Sequence, residues 1–207
     1  AVSATVSPAL RAAGPSCQIA TTERVVAVGD VHGAFGRLVE ILKAAQLIDD
    51  RQRWTGGRAH LVQLGDVVDR GPDSMKALDL LDRLQKEAAR DGGAVHLLLG
   101  NHEVMRMLGD LRYTTAGEYE AFRTPKSADL RDEFVRAKPA NDPSPPPALG
   151  FLELRQAFGQ NGRYGKGLRA LDTVLEINGV LFVHGGISPA IADMPRSEEH
   201  TSELQSR

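Results

Sequence analysis

The chain has 207 residues, of which 42% are hydrophobic and 25% charged, so it is long enough for one globular domain with its own core. Its formal net charge of −2 gives no electrostatic case for a nucleic acid or an anionic membrane surface as a partner. No apolar stretch approaches the roughly 18–20 residues that a membrane-spanning helix needs. Because Cys17 is the single cysteine, an intramolecular disulfide and a thiolate metal cluster are both excluded.

The two ends of the chain differ in composition from the rest. We expect residues 1–23, rich in Ala, Ser, Thr and Pro, to be a disordered leader or the remnant of a processed N-terminus. Residues 196–207 (RSEEHTSELQSR) resemble the translation of a common short-read sequencing adapter, so we predict a non-native tail that includes His200. The natural protein is then expected to continue past Pro195. The chain gives no basis for choosing between a cytoplasmic and a periplasmic location.

Three apolar runs alternate with two amphipathic segments in the first half of the chain. Strands are predicted at residues 24–28, 59–64 and 94–99, each followed or ended by a glycine. Residues 35–47 carry apolar side chains at helical spacing, and a helix capped near residue 73 is predicted to run to about residue 90. This β-α-β-α-β order predicts an α/β fold in which helices cover the strands.

The middle of the chain reads differently. Short helices with polar breaks are predicted from residue 101 to about 136, and the Pro-rich stretch at 138–147 (KPANDPSPPP) cannot continue a helix. Residues 149–158 are predicted to be helical and residues 161–167 (NGRYGKG) to be a loop. Because motifs continue beyond the Pro-rich stretch, we predict a mostly helical cap insertion at about 104–168 rather than a linker between domains.

A β-hairpin is predicted at residues 173–183, because Asn178-Gly179 suits a type I′ turn. Polar motifs follow this hairpin and each of the three earlier strands: GDVHG, GDVVDRG, GNHE and HGG. In open sheets, ligands bind beyond the carboxyl ends of the strands. The motif residues expected to converge on one patch are Asp30, His32, Asp66, Asp69, Arg70, Asn101, His102 and His184.

Each motif taken alone has an ordinary structural explanation. A Gly-Asp pair after a strand is commonly a turn or helix cap, and an Asn-His pair at a strand end can be turn chemistry. His60 and His96 lie inside predicted strands, and we expect them to be structural. The recurrence of metal-ligating residue types at four strand ends favours a functional site over four unrelated turns.

This set of residue types fits phosphoester chemistry. Carboxylates, a carboxamide oxygen and neutral imidazoles form a mixed oxygen and nitrogen donor set suited to Mn, Fe or Zn rather than Ca. Two such ions can share a carboxylate, clamp a phosphoryl group and activate a water. An arginine can hold phosphate bidentately, and a histidine oriented by a carboxylate can protonate the leaving oxygen.

As an ordered set, GDVHG, GDVVDRG, GNHE and HGGISP resemble the signature motifs of calcineurin-like metallophosphoesterases. They are most similar to the phosphoprotein-phosphatase branch and its bacterial Shewanella-like phosphatases. The resemblance covers about residues 24–195 and implies a metallophosphoesterase-type β-sandwich flanked by helices, C-terminally truncated, and two divalent metal ions, with Mn favoured.

The resemblance also implies metal ligands by position. Asp30 and His32 match ligands of the first metal, Asp66 matches the bridging carboxylate, and Asn101 and His184 match ligands of the second metal. The family supplies one more histidine to the second metal from a strand after HGG. No residue before the predicted tail matches it, so the second site is expected to be one ligand short.

The remaining motif residues match catalytic roles in the family pattern. His102 resembles the general acid, Asp69 its orienting partner and Arg70 a phosphate clamp. Glu103 is expected to support the loop rather than to bind metal. In the predicted cap, positions that either reach a substrate phosphate or lie on a solvated surface are Arg112, Tyr113, Arg163, Tyr164 and Lys166.

The leading hypothesis is a two-metal phosphomonoesterase that acts on a phosphorylated protein, with Ser/Thr and Tyr specificity both open. A diadenosine-polyphosphate hydrolase of the same superfamily ranks lower, because those enzymes tend to depart from the VDRG and GNHE forms. A metal- or phosphate-binding module without turnover is the third reading, because the second metal site is expected to be incomplete. The oligomeric state is left open.

Overall fold

The computed structural model of the chain describes residues 18–192. Within them, six strands form two three-stranded sheets with the orders β2-β3-β4 and β1-β5-β6. The strands are β1 (Gln18–Ile19), β2 (Val25–Val28), β3 (His60–Gln63), β4 (Ala94–Leu97), β5 (Val174–Ile177) and β6 (Val180–Val183).

Helices connect the strands and fill the middle of the described chain. They are α1 (Phe35–Ala44), α2 (Ser74–Arg90), α3 (Asn101–Leu108), α4 (Ala116–Ala121), α5 (Ser127–Arg136), α6 (Phe151–Phe158), α7 (Arg163–Leu168) and α8 (Pro189–Ala192). None of these helices is long and apolar enough to cross a bilayer.

The first sheet is parallel, as the β-α-β-α-β order predicts. Val25 pairs with His60 and His60 with Ala94, so all three strands run in register and end at the same edge. One face packs on α1 and α2 through a core that includes Leu42 and Leu81. Full burial of each such side chain contributes about 1.5–3 kcal/mol, so this core fixes the edge where the polar motifs emerge.

The second sheet packs on the other face of the first. Its small core contains Val62 of β3, Leu98 directly after β4, and Leu175 and Ile177 of β5. The predicted hairpin is confirmed, and both residues of its Asn178-Gly179 turn have positive φ, at 54° and 77°. The two sheets and their flanking helices form the predicted metallophosphoesterase-type β-sandwich.

The structure differs from the predicted leader at its C-terminal end. Gln18–Ile19 pairs in parallel with β5, and the Asn178 N–H donates to the Ile19 carbonyl at 2.9 Å. A two-residue strand is too short to show alternation in a sequence, so the pattern could not reveal it. Residues 1–17 of that leader and the predicted adapter-like tail lie outside the described residues.

The loop predicted at residues 161–167 is wrong for residues 163–167, because these residues belong to α7. Its glycines suggest a loop, but tertiary contacts stabilise the helix. Tyr164 stacks on Phe158 of α6 at 5.2 Å between ring centroids and donates its hydroxyl to Asp79 of α2 at 2.9 Å. The helices of the predicted cap are therefore partly built into the main core.

His60 and His96, predicted to be structural, lie against each other on adjacent strands. His60 Nδ1 is 3.1 Å from His96 Nε2, and the rings stack at 5.3 Å. Burial, and secondly the charge that His60 can carry, lower the pKa of His96 to about 4. The folded state thus keeps this imidazole neutral in mild acid.

We expect this pair to make the fold acid-sensitive. In the unfolded chain His96 binds a proton below about pH 6.5, whereas in the folded protein it binds one only below about pH 4. The unfolded state binds more protons in that window, so the free energy of unfolding falls as pH falls. Because solvent screens part of the ring, we expect His96 to account for about 1 kcal/mol between pH 7 and pH 5. Urea unfolding at both pH values should show a smaller fall for His96→Gln, and equal falls would contradict the assignment.

Candidate functional site

The site lies at the carboxyl edge of the parallel sheet, where the loops after β2, β3 and β4 meet. Four of its residues have left-handed backbones: His32 (φ 48°), Asp66 (φ 55°), Asp69 (φ 69°) and Arg70 (φ 63°). Such conformations cost about 1–3 kcal/mol each and persist where surrounding structure enforces them. Here the N–H groups of Val31 and His32 both donate to the Asp66 carbonyl at 2.9 Å, which ties the first loop to the second.

Glu103 holds the second and third loops together. One carboxylate oxygen accepts the N–H groups of Asp66 (2.8 Å) and Gly100 (3.0 Å), and the other accepts those of Val67 and Val68. Burial raises the pKa of Glu103, and the backbone donors oppose that rise. All four of these hydrogen bonds use backbone groups of the loops, in line with the expectation that Glu103 supports a loop.

The loop between β4 and α3 needs a glycine at position 100. A Cβ built there would overlap both the backbone nitrogen and Oδ1 of Asp66. The third loop therefore approaches the second more closely than any side chain permits. This close approach brings the backbone N–H of His102 to Asp66 Oδ1 at 3.0 Å.

Asp66 is the centre of the cluster and is 3% exposed. Its Oδ2 lies 3.3 Å from His184 Nε2, 3.6 Å from His32 Nε2 and 3.9 Å from His102 Nε2. One carboxylate oxygen thus faces three imidazoles, each from a different motif or loop. That arrangement is suited to a carboxylate shared between two bound cations.

The donor atoms of His32 fit a metal. Its Nδ1 lies 3.0 Å from the Val68 carbonyl, which can only accept, so Nδ1 carries the hydrogen. Its Nε2 is buried and has no hydrogen-bond partner among the described residues. Asp30 Oδ2 (3.4 Å) and Asp66 Oδ2 (3.6 Å) are its nearest charged neighbours. A histidine that binds metal commonly donates one ring N–H to a carbonyl and keeps the other nitrogen free for the ion, as His32 does here.

His184 has the same arrangement, with one ring nitrogen bound to a carbonyl and the other free to bind a metal. Its Nδ1 donates to the Leu64 carbonyl at 2.8 Å, which leaves Nε2 without a hydrogen. That nitrogen faces Asn101 Oδ1 at 3.0 Å and Asp66 Oδ2 at 3.3 Å. Three lone-pair atoms facing one another repel unless a cation lies among them, so His184, Asn101 and Asp66 also fit a metal.

Asp30 lies between the two groups of ligand atoms. By distance alone there are two groups of possible ligands. One is His32, Asp66 and His102, and the other is Asp30, Asp66 and His184. In each group the ligand atoms lie within 4.8 Å of one another. The resemblance instead pairs Asp30 with His32. Asp30 is half exposed, its Oδ2 is 3.4 Å from His32 Nε2, and its Oδ1 is 4.0 Å from His184 Nδ1. Its side chain can therefore serve the first metal while bordering the second.

His102 has different partners from the other two histidines. Its Nδ1 donates to Asp69 Oδ2 at 2.9 Å, and the Arg70 guanidinium donates to its Nε2 at 3.3 Å. A cation that close disfavours metal at Nε2, whereas the carboxylate fixes the ring so that Nε2 faces outward from Asp69. This environment suits a proton donor better than a metal ligand.

Sequence reasoning missed the buried charges behind His102. Arg106 donates to Asp69 Oδ1 through Nε (2.8 Å) and Nη2 (2.5 Å), and to Glu118 of α4 at 2.5 Å. The Ser74 hydroxyl donates to the same Glu118 oxygen. Arg106 follows His102 by one helical turn, which was the available signal, but its partners are remote in sequence.

The cap residues fall into three groups. Tyr113 borders the site, where its ring lies 5.0 Å from the His102 ring. Arg112 pairs with Asp110, while Arg163 and Tyr164 both bind Asp79 of α2. Lys166 is exposed.

The chain resembles known proteins in both sequence and fold. The profile of the family described as calcineurin-like phosphoesterase matches residues 23–206, and the chain belongs to that family. It is 48% identical over 101 residues to Shewanella-like protein phosphatase 2 of Arabidopsis thaliana, covering 49% of this chain and 26% of that protein.

Two further similarities extend over more of the chain. It is 30% identical over 171 residues to Shewanella-like protein phosphatase 1 of Plasmodium berghei, covering 83% of this chain and 41% of that protein. The crystal structure of the cold-active protein-tyrosine phosphatase of a psychrophilic Shewanella species superposes with a TM-score of 0.70 at 29% identity. That match covers 92% of this chain and 51% of the Shewanella chain, so the chain spans about half or less of these relatives.

Proposed function

We propose that the protein is a metal-dependent phosphomonoesterase acting on phosphorylated proteins. The observation that carries the proposal is the convergence of three imidazoles on Asp66 Oδ2, with the buried Nε2 of His32 unpartnered among the described residues. The relatives named as protein phosphatases support the substrate class. Ser/Thr and Tyr phosphoesters are both within the proposal.

In the proposed assignment, Asp30, His32 and Asp66 hold one divalent ion, and Asp66, Asn101 and His184 hold a second. Mn²⁺ is the favoured ion, and Fe or Zn suits the same donor set. When bound, the ions supply positive charge against the phosphoryl oxygens and activate water as the nucleophile. The buried carboxylate of Asp66 holds this charge in place because the loop hydrogen bonds fix its orientation.

The protein's own side chains bind the phosphate and move the proton. The Arg70 guanidinium is exposed and takes the phosphate oxygens, which releases His102 Nε2 from its hydrogen bond to Arg70. Asp69 accepts from Nδ1 and favours the doubly protonated ring, so the released Nε2 takes up a proton from solvent and passes it to the leaving oxygen. Arg106 holds the other oxygen of Asp69 and positions this pair.

A direct assay tests the proposal. The full-length protein with Mn²⁺ should hydrolyse p-nitrophenyl phosphate and phosphopeptides, and chelation should abolish turnover. A dinucleoside tetraphosphate is the competing substrate, and we expect lower kcat/KM for it than for the phosphopeptide. The phosphatase proposal fails if the protein shows no metal-dependent turnover above that of Asp66→Asn. Preference for the dinucleotide would favour a polyphosphate hydrolase.

A binding module without turnover is the second candidate. The proposed second ion has only Asp66, Asn101 and His184 as ligands among the described residues. Metal content separates the candidates: two tight ions per chain favour a competent enzyme, and about one ion favours the binding module. We further propose that residues 104–168 are an insertion that caps the site.

A further inference from the structure

We propose that the Tyr113 ring forms the wall of the site on the leaving-group side, and that it gives the protein a preference for aromatic phosphoesters over aliphatic ones. The inference rests on the proposed function. Tyr113 lies in the loop between α3 and α4 and is 45% exposed. It contacts the two residues assigned to phosphate binding and proton transfer.

The ring lies against the Arg70 guanidinium. Arg70 Cζ is 5.6 Å from the centre of the Tyr113 ring, within the range of a cation–π contact. The Arg70 N–H also donates to the Tyr113 carbonyl at 3.0 Å. That backbone hydrogen bond survives any substitution of the side chain, so the loop stays attached when the ring is removed.

The ring also lies beside the proposed proton donor. The His102 and Tyr113 rings are 5.0 Å apart and tilted by 50°. A leaving oxygen protonated by His102 Nε2 lies close to that histidine, so the group attached to it extends past Tyr113. The exposed part of the ring then offers an aromatic surface to this group.

The physical consequence depends on the leaving group. A planar aryl group gains an aromatic contact with Tyr113 in addition to burial of its apolar area, whereas a serine-sized group is too small to cover the ring. We therefore expect the ring to contribute about a 10-fold preference for aryl substrates.

The experiment compares Tyr113→Ala with Tyr113→Phe in the full-length protein with Mn²⁺. Tyr113→Ala should raise KM for a phosphotyrosine peptide about 10-fold more than for the matched phosphoserine peptide. Tyr113→Phe keeps the ring and should retain the wild-type ratio. Leu108→Ala, at a 72% exposed position outside the site, should change neither substrate.

Calorimetry provides a readout that does not need turnover. Phenylphosphonate should lose about 10-fold more affinity than methylphosphonate in Tyr113→Ala. Equal losses for both ligands, or no loss, would overturn the inference while leaving the phosphatase proposal intact. If the wild type turns over neither peptide but the phosphonates show the expected difference, the proposed function fails and the aromatic wall stands. Failure of the wild type to bind either phosphonate would overturn the inference as well.

Discussion

Asp66→Asn should reduce metal-dependent turnover by about 10³-fold or more, because it removes the carboxylate that, within residues 18–192, faces all three imidazoles. Asparagine keeps the shape of the side chain. Its Oδ1 can still accept the His102 N–H, and the loop hydrogen bonds to Glu103 use only the backbone of residue 66. The expected loss therefore reports the charge of the side chain rather than collapse of the loops.

Metal content and stability complete this test. Asp66→Asn should bind fewer ions per chain, measured by elemental analysis, while the metal-free protein should be at least as stable as wild type. The stability follows because the substitution removes a buried charge that lies close to Glu103 and Asp30. Asp82→Asn, in an exposed ion pair with Lys86, is the matched control and should change neither quantity. Retention of wild-type metal content by Asp66→Asn would refute the bridging role.

Arg106→Met should lower the free energy of unfolding by about 3–5 kcal/mol. The guanidinium is fully buried and binds the carboxylates of Asp69 and Glu118. Methionine has a similar length but no charge, so both carboxylates would remain buried without their shared cation. The same change should lower kcat, because Asp69 would lose the partner that holds it against His102.

The control for this prediction is Arg155→Met. Arg155 is exposed and lies over the Phe151 ring at 5.8 Å, so its loss should cost less than about 0.5 kcal/mol. Urea unfolding of both variants measures the difference. Adding Glu118→Gln to Arg106→Met should recover part of the lost stability, because it removes one of the uncompensated charges. A loss below 1 kcal/mol for Arg106→Met would show that the carboxylates do not depend on it.

Local rules explain what the sequence predicted well. Apolar runs, helical spacing and glycine ends predicted the parallel sheet, and the Asn178-Gly179 pair predicted the hairpin. Strand-end motifs are also local, and a parallel sheet brings its carboxyl ends together, so the motif residues were expected to meet. Their roles in binding metal and substrate remain predictions that the variants above test.

Long-range partners explain what the sequence did not predict. Arg106 looks like an ordinary helical arginine, and only the packing of α4 against the site shows that Glu118 and Asp69 share it. The helix α7 depends on the contact of Tyr164 with Asp79, which lies 85 residues earlier in the chain. No pattern within either segment carries that information.

The left-handed backbone conformations of the site loops set stability against the proposed chemistry. Replacing Arg70 by glycine would relieve a backbone conformation that costs arginine about 1–3 kcal/mol. The same substitution would remove the proposed phosphate clamp. The same conflict holds at His32 and Asp66. A library of variants screened only for heat resistance should therefore accumulate glycine at these positions and lose activity. A library screened for turnover should keep the present residues and their strained backbone conformations.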